Sequence, residues 1–215
     1  MMAPLSAGRE CLALLKATAA PGRTSLVLPI GKPVVAYLRT IPTAPDRLDP
    51  LDIALLSEWR NRFVKAFLTE FVAHPARTAA WLSGPVHEND GKILFMVESL
   101  DGVPFAHIGL AFIDWTTGYG EADAIVRGAD ALPGLMKLAL QTTLKWARDQ
   151  LGLTTLGVRV RSDNAALDFY RKVGFKETKR VPLALETHAG TVTWSENPAI
   201  ANPQASLVYM LYPAA

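Results

Sequence analysis

The hydrophobic and polar positions in the middle of the chain alternate with the period of β-strands. Two such runs, residues 92–100 and 105–114, flank the pair Asp101-Gly102, which is a strong turn signal. The same alternation returns in residues 119–127. This part of the chain is therefore predicted to form a hairpin and a third strand of an antiparallel meander.

The pattern changes to the period of a helix in residues 135–152, where apolar side chains recur every three or four positions. A strand-like run at 153–161 follows, which makes residues 119–161 a strand–helix–strand crossover with parallel strands. Three more strand-like runs lie at residues 181–187, 191–195 and 206–212. The pattern predicts an α/β protein of the α+β kind, with a mixed, mostly antiparallel sheet.

The first part of the chain contains four further predicted elements. They are an amphipathic helix, a pair of strand-like runs around a turn, and two more helices, at residues 5–19, 25–40, 49–67 and 75–82. Asp49 and Pro50 suit the N-cap and the first turn of the longer helix. The prolines at 29 and 33 disfavour a central hairpin in the sheet.

Composition and charge narrow the class of protein. The 215 residues are half hydrophobic and one-fifth charged, and the net charge is only +2 with no basic block. Nucleic acid and membranes are therefore not expected as partners. The single cysteine, Cys11, excludes an internal disulfide and a cysteine-built metal site. Because Lys16 interrupts the apolar run after Glu10, a signal peptide is disfavoured, and we predict a cytoplasmic protein.

Residues 158–177, VRVRSDNAALDFYRKVGFKE, run from an alternating strand into a short helix. Asn164 and the two residues before it favour the N-cap, and Gly174 suits the end of the helix. Tyr170 falls on the apolar face, so its hydroxyl needs a partner. The residues alone favour a core tyrosine bonded to a backbone carbonyl over a functional one.

This segment resembles the signature of the GCN5-related N-acetyltransferase (GNAT) superfamily, in which a strand leads through Asn into a helix ending in Tyr-x-x-x-Gly-Phe. The matching positions are Asn164, Ala165, Ala166, Tyr170, Gly174 and Phe175. The resemblance covers residues 36–212. It implies a GNAT-like sheet flanked by helices, in which a parallel strand pair splays apart to hold acetyl-coenzyme A (acetyl-CoA). It also implies that Tyr170 protonates the leaving thiolate as a general acid.

The resemblance places the coenzyme pyrophosphate at the loop before the long helix, where the family has Gln/Arg-x-x-Gly-x-Gly/Ala. A helix N-terminus suits such an anion. Ala131 and Met136 depart from the pattern, and Arg127 corresponds only in residue type. Backbone N–H groups at Ile125 and Val126 would polarise the thioester carbonyl. The predicted coenzyme-binding residues are Ile125, Val126, Arg127, Gly128, Gly134, Leu135 and Asn164.

The acceptor amine must lose a proton before it attacks the thioester, so a general base is needed nearby. Glu121 and Asp123 share one strand face under strict alternation, and their proximity would raise the pKa of one carboxyl. An exposed strand rim is an equal alternative. His107 is the second candidate because histidine titrates near neutrality, although a lone strand histidine is more often structural. No two histidines have the spacing of a metal motif, and we expect no metal.

The longer helix contains Trp59, Arg60 and Asn61, and Trp-Arg-Asn recurs in GNAT members that act on amino sugars or on protein N-termini. These residues are predicted to line the acceptor site. The alternative is a core Trp59 and a solvated Arg60. The leading prediction is direct transfer of acetyl from acetyl-CoA to a primary amine of a small metabolite, especially a nucleotide-linked amino sugar. The alternatives are acetylation of protein N-termini, of the ribosomal-protein type, and a degenerate domain that binds coenzyme A without catalysis.

The first residues of the chain have no counterpart in the family pattern. The chain is therefore divided into an N-terminal extension, residues 1–35, and an acetyltransferase domain, residues 36–215. Because GNAT members often dimerise, a homodimer is one assembly that the resemblance allows.

Overall fold

The computed structural model describes residues 3–22 and 27–213, which contain five α-helices and ten β-strands. The helices are α1 (Leu5–Thr18), α2 (Pro50–Arg62), α3 (Pro75–Trp81), α4 (Leu135–Leu151) and α5 (Ala166–Val173). The strands are β1 (Val27–Ile30), β2 (Ala36–Thr40), β3 (Thr69–Glu70), β4 (Ile93–Glu98), β5 (Pro104–Asp114), β6 (Tyr119–Arg127), β7 (Thr155–Arg161), β8 (Lys176–His188), β9 (Thr191–Glu196) and β10 (Ser206–Tyr212). Residues 25 and 26 of the predicted first strand lie outside the described residues.

The strands form one sheet in the order β1-β2-β4-β5-β6-β7-β10-β8-β9-β3. In the described part of the chain, every neighbouring pair of strands is antiparallel except β6 and β7, which run parallel. This confirms the predicted fold class: a mixed, mostly antiparallel sheet with one parallel pair. The prolines of the first hairpin are accommodated because β1 is an edge strand.

Helix α4 makes the crossover between the two parallel strands. Gly134 (φ +81°) precedes the helix and Gly152 (φ +72°) ends it, and both adopt the left-handed conformation that glycine tolerates best. The helix buries Leu140, Leu144 and Ala147 completely against the sheet. Its amphipathic pattern therefore determines which face lies on the sheet, as the apolar spacing predicts.

The parallel pair separates part of the way along its length. The ladder between β6 and β7 ends at Ala122 and Val158, although β6 continues to Arg127 and β7 to Arg161. Ala124 has a positive φ of 49°, and the register to β5 shifts at the same point. The local bulge bends β6 away from β7, so that a gap opens between the two strands.

The N-terminal helix α1 packs on the same core as the rest of the described chain. Gly8 lies so close to α4 that an added Cβ would come within 2.2 Å of the Leu151 carbonyl oxygen. Leu12 is fully buried, and the Lys16 ammonium donates to the backbone carbonyls of Val86, His87 and Asn89. In the structure α1 packs against the core and β1 is an edge strand of the sheet. The proposed division of the chain at residue 35 stays a prediction.

A buried charge cluster ties α2 to the sheet, and sequence reasoning missed it. Arg39 on β2 donates from Nε to Glu98 (2.6 Å) and from both Nη atoms to Asp52 (3.0 and 2.7 Å). The three residues are exposed by 3% or less. Because a buried charge is costly without its partner, the cluster fixes where α2 lies on the sheet.

Candidate functional site

The gap between β6 and β7 is a cavity of about 460 Å³, here called the strand cavity. Four predicted coenzyme-binding residues line it, together with the predicted general acid: Ile125, Val126, Arg127, Asn164 and Tyr170. The sheet leaves this space because the β6–β7 ladder stops at Ala122. The backbone of β6 beyond that point is thus separated from β7, where a ligand can approach it.

Tyr170 is held on the wall of the strand cavity by its aromatic neighbours. The residue is 7% exposed, and its ring contacts Phe169 (5.4 Å) and Phe175 (5.8 Å between centroids). Burial, with a smaller effect of Asp123, raises the pKa of the phenol above its ordinary value. In the described part of the chain no group forms a hydrogen bond with the hydroxyl. The alternative of a core tyrosine bonded to a backbone carbonyl therefore does not describe this residue.

Asn164 lies on the cavity wall with both ends of its side chain engaged. Its Oδ1 accepts from the N–H of Ala166, the first residue of α5 (2.8 Å), although the N-cap position itself is Ala165. Its Nδ2 donates to the Ala66 carbonyl (3.0 Å). Asn164 therefore connects α5 to the segment that crosses the front of the site.

The predicted pyrophosphate loop is only partly at the strand cavity. Arg127 lines the cavity, whereas Gly128, Gly134 and Leu135 do not. The Gly128 N–H donates to the Phe105 carbonyl (2.9 Å), so it is already bonded. The first turn of α4 contains no acidic residue, which leaves the positive end of the helix dipole available to an anion.

A second cavity, of about 440 Å³, adjoins the first and is here called the helix cavity. It lies between α2, α3, the sheet and a connecting segment, residues 63–73, which we call the 63–73 segment. Asp123 and Ala124 line both cavities, as do Phe67 and Thr69. The two cavities therefore meet at the bulge of β6, next to the position where the strands separate.

The two predicted carboxylates have different surroundings. Glu121 is buried, lines neither cavity, and is bonded to Arg159 (2.7 Å) and the Tyr119 hydroxyl (2.7 Å). Asp123 lines both cavities and pairs with Lys92 (3.1 Å). Because each carboxylate has its own cation, the shared carboxylate site that strict alternation predicts is not formed.

His107 lines the helix cavity as a buried, uncharged ring. It is 5% exposed and stacks on Trp59 with ring centroids 6.0 Å apart. Burial lowers the pKa of the imidazole to about 4, so the ring is neutral at physiological pH. Its Nδ1 has no hydrogen-bond partner among the described residues.

The three predicted acceptor-side residues have different roles. Trp59 is 2% exposed and packs against Gly128, where an added Cβ would come within 1.9 Å of the indole. It belongs to the core and lines neither cavity, in agreement with the alternative for this residue. Asn61 bonds twice to the Ala73 backbone (2.7 Å each) and thereby holds the end of the 63–73 segment. Arg60 lines the helix cavity.

Arg60 is not the solvated charge of the alternative interpretation. Its guanidinium lies over Phe67 (3.6 Å to the ring centroid), and Nη2 donates to the Thr69 carbonyl at 2.5 Å. Burial and the nearby Arg77 lower its pKa to about 10, which still leaves it charged at neutral pH. Arg60 is thus a half-buried cation whose guanidinium is held against the helix cavity by the 63–73 segment.

Helix α2 ends at Arg62, whereas the sequence predicts a helix to residue 67. The bonds from Arg60 and Asn61 to the returning chain fix the 63–73 segment in a different direction. The cavity-lining residues Arg77 and Lys92 were also missed, because no local motif marks them. Arg77 lies on α3 and Lys92 in the loop before β4, so no pattern in the sequence connects the two residues.

The open parallel pair, with a tyrosine and backbone groups lining the gap, defines an acyl-CoA-dependent transferase fold. A family model described as the Acetyltransferase (GNAT) family matches residues 52–175, more than half of the chain. The chain belongs to this family, and the protein is an acetyl-CoA-dependent N-acetyltransferase. Acetyl-CoA is its acyl donor.

Solved structures share the fold at low sequence identity. A GCN5-related N-acetyltransferase from Brucella melitensis has a TM-score of 0.60 and 16% identity, covering 89% of this chain and 79% of that one. A probable GNAT acetyltransferase from Chromobacterium violaceum has 0.61 and 17%, covering 82% and 86%. Spermidine N-acetyltransferase from Vibrio cholerae, in complex with CoA and spermine, has 0.61 and 16%, covering 81% and 92%. No curated protein matches the chain.

Two further properties concern the described residues alone. None of their helices is both long and apolar enough to cross a bilayer. Within residues 3–22 and 27–213, no group of three or more His, Cys, Asp or Glu side chains is arranged to hold a metal ion.

Proposed function

We propose that this enzyme transfers acetyl from acetyl-CoA to the primary amine of a small metabolite by direct attack. The thioester would lie in the strand cavity and the acceptor in the helix cavity. The observation that carries this proposal is that the two cavities meet at Asp123 and Ala124. An amine in one cavity and a thioester in the other would be brought together at the bulge of β6.

The donor side would be formed by β6, the loop after it and α5. Backbone N–H groups at Ile125 and Val126 would polarise the thioester carbonyl. Arg127 and the N-terminus of α4 at Gly134 and Leu135 would hold the pyrophosphate. Gly128 would support the loop by its close packing on Trp59 rather than by a free N–H. Asn164 would close the front of the site through its bond to Ala66.

Tyr170 would be the general acid. The amine nitrogen forms a bond to the thioester carbonyl carbon, the C–S bond breaks, and the tyrosine hydroxyl gives its proton to the sulfur. Burial raises the pKa of this hydroxyl, so it is protonated at neutral pH and has a proton to donate as the C–S bond breaks. The absence of a protein partner for the hydroxyl in the described chain supports this role.

The proton of the attacking amine must leave in the opposite direction. Asp123 is the predicted base that lines both cavities, so we assign it the proton of the acceptor amine. His107 lies in the same cavity with an unbonded Nδ1 and would assist there. Glu121 would act through Arg159 on the structure of β7, because it lines neither cavity.

Replacing Tyr170 by phenylalanine tests the proposal. The variant should bind acetyl-CoA with unchanged affinity in a calorimetric titration, while its turnover should fall by roughly a hundredfold or more. Tyr212→Phe is the matched control, because Tyr212 contacts Phe175 in the same aromatic group and lines neither cavity. Unaltered turnover in Tyr170→Phe would remove this residue from the mechanism.

The acceptor class is tested on the same protein. The resemblance favours a nucleotide-linked amino sugar, and the enzymatic alternative is a protein N-terminus. Mass detection of acetylated product in a panel of amino sugars, simple amines and N-terminal peptides separates the two. Transfer to peptides alone would replace the small-metabolite proposal with the N-terminal one.

A further inference from the structure

The helix cavity carries an excess of positive charge. Arg60, Arg77 and Lys92 line it, together with a single carboxylate, Asp123. Lys92 and Asp123 form an ion pair with each other at 3.1 Å. The two guanidinium groups are therefore left without a carboxylate among the residues that line the cavity.

Arg60 is held in place with part of its guanidinium unsatisfied. The group lies against the rings of Phe67 and Phe71 (3.6 and 4.5 Å), and Nη2 donates to Thr69. Its Nη1 is buried and has no hydrogen-bond partner among the described residues. A buried donor without an acceptor is unfavourable, so a ligand that accepts this hydrogen bond would be stabilised.

Arg77 approaches the same aromatic ring from α3. Its guanidinium lies 3.5 Å from the Phe71 centroid, and it has no ion pair or side-chain hydrogen bond within the described chain. Burial, and after it the nearby positive charge of Arg77, lowers the pKa of Arg60. An anion placed between them would relieve the repulsion of their like charges.

The carboxylate of Glu70 does not provide that anion. It also attracts Arg60, but it lies outside the helix cavity. Its oxygens are bonded to Lys65 (2.5 Å) and the Trp194 indole (3.2 Å), and Arg161 lies 3.5 Å away. Glu70 is thus committed to the neighbouring cluster on β7 and β9.

We infer that the acceptor of this enzyme carries an anionic group, a carboxylate or a phosphate, in addition to its amine. Arg60 and Arg77 bind the anionic group, since guanidinium forks match the oxygens of both. The amine lies at the other end of the cavity, beside Asp123 at the junction with the strand cavity. This inference rests on the proposed acceptor role of the helix cavity and specifies its substrate class.

The same charges disfavour a polyamine acceptor. A chain with several ammonium groups would place at least one of them beside Arg60 and Arg77, where like charges repel. The Vibrio cholerae enzyme in complex with spermine shares the fold with this chain at 16% identity. The residues of the cavity, rather than the fold, are expected to decide the acceptor.

Matched pairs of amines test the inference. The first pair is phosphoethanolamine and ethanolamine, and the second is β-alanine and propylamine. Within each pair the two amines differ mainly in the anionic group. Spermidine is the polycationic comparison. Each is titrated calorimetrically into the CoA-saturated protein, so that the coenzyme phosphates already occupy their own site. The anionic member of one pair should bind roughly ten- to a hundredfold more tightly than its neutral partner. The pair that shows the preference identifies the anion as phosphate or carboxylate.

Substitution of Arg77 connects the preference to the cavity. Arg77 is exposed and makes no side-chain hydrogen bond in the described chain, so Arg77→Gln should fold normally and lose most of the preference, with Arg60 alone retaining the remainder. Arg77→Lys keeps the charge without the fork and should retain more of the preference than Arg77→Gln. Lys145→Gln is the charge-matched control, because Lys145 is 77% exposed on α4 and lines neither cavity. It should retain the full preference.

Acetyl transfer to the same panel separates failure of this inference from failure of the proposed function. Transfer without any anion preference, or with preference for spermidine, overturns the anionic acceptor and leaves the transferase mechanism standing. Arginine-dependent binding of anions without transfer to any amine overturns the acceptor role of the cavity. A preference that Arg77→Gln leaves undiminished, or no binding of anionic probes at millimolar concentration, overturns the assignment to these arginines.

Discussion

Burial of His107 predicts that the fold loses stability as the pH falls below neutrality. The ring is 5% exposed, and its pKa is lowered to about 4, against an ordinary value of about 6.5. At pH values between these two pKa values, the His107 imidazole is protonated in the unfolded chain but remains neutral in the native state. The contribution of His107 to the free energy of unfolding is therefore fully present above about pH 6.5. It is lost progressively as the pH falls towards about 4.

The size of the effect follows from the difference between the two pKa values. The difference of about 2.5 between the two pKa values corresponds to about 3.4 kcal/mol in the free energy of unfolding when the titration is complete. Between about pH 7 and about pH 5 the same linkage gives a loss of about 2 kcal/mol in the free energy of unfolding. Such a loss is large relative to the stability of an ordinary domain, which is about 5–15 kcal/mol.

Urea unfolding of the native protein and of His107→Gln, followed by tryptophan fluorescence at several pH values, measures this term. Other titrating groups are common to both proteins, so the difference between the two curves isolates the histidine. We expect the native protein to lose about 2 kcal/mol more than the variant between about pH 7 and about pH 5. Parallel curves would refute the conclusion that the imidazole is buried and uncharged.

Two further substitutions test the packing that positions the site. Arg39→Met should lower the free energy of unfolding by about 3–5 kcal/mol, because it leaves two buried carboxylates without their cation. Urea denaturation would measure the change, and a loss below about 1 kcal/mol would contradict the buried cluster. Gly128→Ala should cost about 1–3 kcal/mol or more, because the new Cβ meets the Trp59 indole at 1.9 Å. The same assay should show little change for Gly84→Ala, where nothing lies within 4 Å of the added atom.

Most of the sheet could be predicted from the sequence because its signals are local. The turn at Asp101-Gly102 and the helical spacing after Gly134 each depend on residues a few positions apart. The end of α2 could not be predicted, since residues 63–67 have an acceptable helical pattern. It is overridden by bonds from Asn61 to Ala73, twelve positions away.

The donor side and the acceptor side of the site differ in the same way. The proposed donor side has a local signal in the sequence, because the strand, the polar residues before the helix, the tyrosine and the terminal glycine all lie within residues 158–175. The sequence did not distinguish side chains that line a cavity from residues that pack behind the cavity wall. Trp59 and Gly128 are such a supporting pair, in contact across almost seventy positions.

The acceptor side depends on charges that only the tertiary structure brings together. Arg60, Arg77, Lys92 and Asp123 come from four separate elements, and their sequence positions show neither the Lys92–Asp123 pair nor the two arginines left beside it. The sequence marks Arg60 and Asp123 as candidates, whereas Arg77 and Lys92 are in the sequence ordinary surface charges, for which a solvated position is the reasonable expectation. If the cavity binds the acceptor as we propose, its selectivity among amines depends on the sum of these four charges. The proposed acceptor specificity would therefore follow from the register of β6 and the path of the 63–73 segment, whereas the acyl donor is indicated by one contiguous motif.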